Sequence, residues 1–162
     1  MRSKIIIVLA VFVLGALNYG IYQKQKIIDN GETILLELAP VDPRSLMQGD
    51  YMRLRYDIER SVSADQLEAH QKRGYMVIRP NENNVAQFLR FYENEALNDQ
   101  EKLLHFHRQN GVRIVPDSFL FQEGHAKYYE EAKYGVFKFD NNGNHLLTGM
   151  ADEDGEIITV SE

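Results

Sequence analysis

Along most of this chain apolar and polar residues alternate, and only at the front does the alternation give way to an unbroken apolar run. IIIVLAVFVLGALNYGIY extends from Ile5 to Tyr22 without a charge. Eighteen residues in a helix rise roughly 27 Å, enough to cross a hydrocarbon core. Tyr19 and Tyr22 stand where an interfacial aromatic belt belongs, and Lys24 and Lys26 close the span. Residues 1–26 are therefore expected to be an uncleaved signal-anchor, with the membrane crossed through residues 5–22. A cleaved signal peptide is the competing expectation, because the strongest apolar stretch, Ile5 to Leu17, is short. Around Gly15 to Gly20, however, no clean Ala-x-Ala cleavage site is present. Arg2, Lys4 and the amine oppose Lys24 and Lys26, a small bias that places the amino terminus inside and the remainder outside.

Residues 27–31, within the polar stretch Lys24 to Gly31, are expected to be a short connector. Beyond it, 32–162 forms the outer domain. ETILLELA puts Ile34, Leu36 and Leu38 on one face of a strand. Asp42 suits a helix N-cap, Pro43 the first helical position and Gly49 a left-handed stop, which predicts one helical turn over 42–49. From Tyr51 the apolar set is Met52, Leu54, Tyr56 and Ile58, opposite Tyr51, Arg53, Arg55 and Asp57. A capping-box pattern at Ser63 opens a helix expected to close at Gly74. Tyr75 to Pro80 and Val85 to Tyr92 predict strands about an NENN turn, and LLHFHRQNGVRIVP predicts a hairpin around Asn110-Gly111. Phe119 to Phe121 adds a short strand. HAKYYEEAKYG predicts a short helix stopped near Gly135, followed by a hairpin about Asn141 to Asn144. Eight or nine strands with two or three short helices, joined by connections too short for crossovers, make a β-rich, mostly antiparallel α+β domain.

Composition narrows the function classes. The 162-residue chain has no cysteine, so no disulfide supports the outer domain, which at about 135 residues can bury a core of its own. Without Arg2 and Lys4, sixteen basic residues oppose 24 acidic ones, leaving the outer part near −8. That balance argues against nucleic acid and against anionic lipid headgroups as ligands.

Gly49-Asp50-Tyr51-x-x-Leu54-x-Tyr56 matches, at every specified position, the signature of the GDYXXLXY family. The resemblance extends upstream through Asp42-Pro43-Arg44-Ser45. It resumes in FLFQEG (Phe119 to Gly124), in YEEAKYG (Tyr129 to Gly135), at Asn142-Gly143 and at Leu146-Leu147, and so spans most of residues 32–150. It implies a small bacterial membrane-associated protein of unknown activity, with an extracytoplasmic (periplasmic) domain beyond the inner membrane and a multi-pass membrane protein as partner. It supplies no catalytic residues.

The residues themselves offer several chemistries, each set against a plainer role. Tyr51, Arg53 and Arg55 form a basic-aromatic face suited to carboxylates or phosphates, though alternating charges, with Glu37 as a partner, equally suit an ordinary sheet exterior. Asp50 fits the hydrogen bonding of a turn better than catalysis. His105 and His107 share a strand face and would need Glu123 and His125 close by to hold a metal; a solvated face is the stronger expectation. Ser45 lacks a nearby lysine for a Ser–Lys dyad. Glu123 is one carboxylate without a defined partner, better placed to favour the following helix N-terminus. The expectation is a non-enzymatic accessory domain, without metal or cofactor, whose contact surface includes Tyr51, Arg53, Arg55 and Glu123. Asp42, Gly49, Asp50, Leu54 and Tyr56 serve as its structural motif. A membrane-tethered hydrolase or a ligand- or metal-binding domain is the alternative.

Overall fold

A computed structural model of the chain describes residues 2–40, 47–48, 51–62, 72–108 and 111–160. The apolar run forms helix α1 (Arg2–Asn30), long and apolar enough to cross a membrane, with its hydrophobic side chains exposed. The helix does not end at the charged boundary. It continues through the expected connector to Asn30, helped by one-turn bonds such as Gln25 to the Asp29 carboxylate at 2.8 Å. Extending a helix that is already nucleated needs only one further bond per residue fixed, so polar residues join it readily.

After Gly31 come ten strands among the described residues: β1 (Glu32–Glu37), β2 (Met47–Gln48), β3 (Tyr51–Arg53), β4 (Arg73–Pro80), β5 (Ala86–Phe91), β6 (Lys102–Arg108), β7 (Val112–Ile114), β8 (Ser118–Leu120), β9 (Tyr134–Phe139) and β10 (His145–Ala151). They form three sheets, ordered β1-β9-β10, β2-β3-β8 and β5-β4-β6-β7. The pairings between these strands are all antiparallel, as short connections require of the hairpins β4-β5, β6-β7 and β9-β10, and a parallel bridge joins Leu35 to Val85.

The alternation in β1 sends Ile34 and Leu36 into the main core, where they meet Met76 and Ile78 of β4, Leu104 and Phe106 of β6, and Phe137 and Phe139 of β9. Leu35, on the opposite face, is buried too, against Val136 and Ala151. Just before β6, an inner strand of the four-stranded sheet, Glu101 is buried among donors. Arg90 gives it two bonds at 3.0 Å, and Asn98 adds its backbone and side-chain N–H groups. Those bonds, Arg90 first, hold its carboxyl down at about 2.

Several expected elements differ. Met47 and Gln48, placed by the sequence in a helical turn, pair with β3 as a short strand. The rest of that turn, with Asp42, Ser45, Gly49 and Asp50, lies outside the described residues, as does the helix opening at Ser63. Gly74 ends no helix; it belongs to β4, where an added Cβ would meet the Phe106 ring at 3.1 Å. HAKYYEEAKYG contributes only a 3-10 turn at Ala126–Tyr128, and Gly135 lies within β9. Tyr129 instead packs between Phe119 and Phe121, with ring centroids 5.1 and 5.5 Å away.

Candidate functional site

The described part of the octapeptide is a seam between sheets. Tyr51, Met52 and Arg53 pair with Leu120, Phe119 and Ser118, and the Leu54 N–H continues that ladder by donating to the Asp117 carbonyl at 2.8 Å. The next residues change neighbours. The Arg55 carbonyl accepts the Ala39 N–H at 2.8 Å, and Tyr56 bridges to Leu38. Alternation holds through the crossing: Met52, Leu54 and Tyr56 are 2%, 3% and 0% exposed, while Arg53 and Arg55 are exposed. Tyr56 packs edge-on to Phe137, and its hydroxyl donates to the Pro116 carbonyl at 2.8 Å. Burial, reinforced by Glu59 and Asp117, pushes the phenol pKa upward, so it remains a donor.

Arg55 opens onto a recess of about 430 Å³ that is also lined by Glu59, Arg60 and Arg113. Glu59 sits on the 3-10 turn Asp57–Glu59, with its side chain 6% exposed. It accepts the Ile114 N–H at 2.9 Å and meets the Arg113 guanidinium at 3.3 Å. Burial raises its pKa, while the Ile114 bond and the charges of Arg113 and Arg55 oppose the rise. Among the described residues, Arg60 makes only a long, exposed contact with Asp57, at 3.8 Å. Among the described residues, three guanidiniums thus line the recess and the one carboxylate is already engaged by Arg113. Chemically the recess is suited to a carboxylate or phosphate presented from outside.

The other expected site residues lie apart from it. Tyr51 and Arg53 stay on the β3–β8 ladder, beside Leu120, which is 76% exposed. Glu123 is exposed on the turn before the 3-10 segment and does not line the recess. Glu37 pairs with Lys133 at 3.4 Å instead of with the arginine face. His105 and His107 do project together, with ring centroids 4.8 Å apart, but their neighbours are Tyr75 and His145; His125 packs on Tyr128. Among the described residues no group of three or more His, Asp or Glu is arranged to hold a metal. Sequence reasoning missed Glu59, Arg60 and Arg113. Their only signal was polar residues flanking the buried Ile58 and Ile114, a pattern common to any strand edge.

The chain matches the model of the GDYXXLXY protein family over residues 13–150. No curated protein and no solved structure matches it.

Proposed function

The chain belongs to the GDYXXLXY family, and from that premise we propose that it is a single-pass protein of the bacterial inner membrane. Its outer domain stands on the periplasmic side and serves, without catalysis of its own, as an accessory to another envelope membrane protein. The observation that carries this reading is the exposed apolar surface of α1, from Ile5 to Tyr22, which a bilayer or a membrane partner would cover. The signature supports it: its apolar members build the core, and its arginines face outward. Arg55, with Arg60 and Arg113 beside it, is suited to acidic groups on a partner.

The test is affinity purification of the full chain from its native membrane in mild detergent, after brief crosslinking, with residues 27–162 as comparator. The reading expects a stoichiometric integral-membrane partner, lost on truncation and on Arg53→Glu with Arg55→Glu. Recovery of the protein alone would refute it. The desolvated Glu59 in its recess favours a second reading, a ligand-binding domain. That reading expects a small anion to protect the folded chain against heating, and Glu59→Gln to change the protection while leaving partner capture intact.

A further inference from the structure

Where α1 meets the domain, a cavity of about 580 Å³ lies between the helix and the β9–β10 turn, within the usual size of a small-ligand site. Its helical wall runs from Gly20, in the last turn of the apolar span, to Ile27. Seven residues of helix rise about 10 Å. The polar layer of one leaflet is roughly 5–8 Å deep. With α1 in a bilayer, the cavity lies at headgroup level.

Its polar lining carries one charge of each sign. Lys24 and Asp140 both line it, and neither is in an ion pair with a described residue. Asp140 is fixed by its own turn. Its Oδ1 accepts the N–H groups of Asn142 and Asn144 at 2.8 Å, and its Oδ2 accepts the Asn144 amide at 2.7 Å. The Asn142 side chain adds to these bonds, and since every donor is neutral, the carboxylate's negative charge stays available to a cation. Partial burial acts to raise its pKa, but the bonds from Asn144 and Asn142 leave it below the ordinary value and therefore ionised.

Tyr75, 39% exposed, presents its ring in the same cavity, braced edge-on by His105 at 5.2 Å. Such a ring attracts an ammonium group. Burial, then the charges of His107, His145 and Arg73, lowers the His105 pKa. The neutral imidazole can donate one N–H without adding positive charge.

We propose that this cavity binds the headgroup of a zwitterionic phospholipid, with the phosphate ester held by Lys24, Asn142, Asn144 and His105 and the ammonium by Asp140 and the Tyr75 ring. This inference rests on the reading of α1 as a membrane span. One cation and one carboxylate match one phosphate and one ammonium. An anionic lipid would leave Asp140 opposed by like charge, on a chain whose net charge is already −6.

The full-length protein is reconstituted into vesicles of equal parts phosphatidylethanolamine and phosphatidylglycerol, floated, extracted in mild detergent and examined by native mass spectrometry. The expected result is one retained phosphatidylethanolamine per chain, enriched about fivefold, the scale of one exposed ion pair plus one cation–π contact. Lys24→Gln and Asp140→Asn each return the ratio to that of the bulk lipid while still floating. Asparagine keeps the Oδ1 acceptor that closes the turn. If Asp140→Asn nevertheless lowers the melting temperature, Tyr75→Leu tests the ammonium side independently and is expected to lose the enrichment. Lipid at the bulk ratio, preference for phosphatidylglycerol, or enrichment that survives these substitutions overturns the inference while leaving the membrane reading standing. Glycerophosphoethanolamine retained in preference to the lipid when the two are offered at equal concentration would assign the site to a soluble ester and overturn the lipid source. A chain that does not float overturns the membrane reading and this inference together.

Discussion

The Tyr56 hydroxyl reaches the backbone carbonyl of Pro116 at 2.8 Å, joining the end of the signature to the loop before β8. Both groups lie in or beside the core, and removing the hydroxyl leaves the carbonyl without this donor. Tyr56→Phe keeps the ring contact with Phe137 and isolates the hydrogen bond. It is expected to cost about 1–2 kcal/mol. Urea denaturation with an unchanged m value would show it. An unchanged midpoint would mean that the bond contributes nothing net.

Neighbouring signature positions should behave oppositely. Leu54 is in the main core and Arg53 is exposed. Leu54→Ala is expected to destabilise by about 2–5 kcal/mol, the range for a truncated core leucine. Arg53→Ala should stay within about 0.5 kcal/mol of the parent. Equal losses at the two positions would contradict the alternation.

Two buried carboxylates should move stability in opposite directions with pH. Glu101 titrates at about 2 in the fold against an ordinary 4.5, so its contribution is present above about pH 4.5 and is lost as pH falls toward 2. The melting-temperature gap between parent and Glu101→Gln should therefore be full at pH 6 and close over that window. Glu59 is raised above 4.5, so the protonated form is the one that the fold favours. Its contribution is present below the ordinary value and is lost as pH rises through its folded pKa. Glu59→Gln, permanently neutral, should gain on the parent over that rise. Parallel pH profiles for either variant and the parent would refute its assignment.

Gly31 is the single residue between α1 and β1. A Cβ there would collide with the Ile27 carbonyl and lie 3.0 Å from the Phe139 carbonyl, both backbone atoms with little freedom to move. Gly31→Ala is expected to weaken the seating of the helix on the β9–β10 turn by about 1–3 kcal/mol, as overpacking does. Limited proteolysis should then cut near residues 27–31 faster than in the parent, with the outer domain's own melt little changed. Equal cleavage rates would show that the junction relaxes freely.

The strands were legible because the alternation fixed which face each residue takes, and Met52, Leu54 and Tyr56 went to the core as their spacing required. Two glycines misled. Gly74 and Gly135 look like helix stops in sequence, yet both are strand residues whose missing Cβ admits an aromatic ring: Phe106 over Gly74, and Phe137 with Tyr56 over Gly135. Phe106 and Tyr56 arrive from parts of the chain far from these glycines and leave no local mark there. The same holds for Tyr129, whose place between Phe119 and Phe121 overrides the helical spacing around it. The Arg55 recess was half legible. An outward arginine follows from period two, but its company with Glu59 and Arg113 depends on where β7 lands.

The unbroken passage of α1 through Asn30, one residue from β1, has a mechanical consequence. A slack tether would let the domain sweep through many heights and attitudes, whereas a one-residue junction, with the Lys138 ammonium on the Gly31 carbonyl at 3.2 Å, narrows that range. Roughly eight helical residues beyond Tyr22 set the first strand some 12 Å past the end of the apolar span. With α1 in a bilayer, the domain is held near that standoff and moves chiefly in the plane of the sheet of lipid. Any search for a neighbour would then be two-dimensional, and a surface that binds weakly in free solution would meet a counterpart more often there.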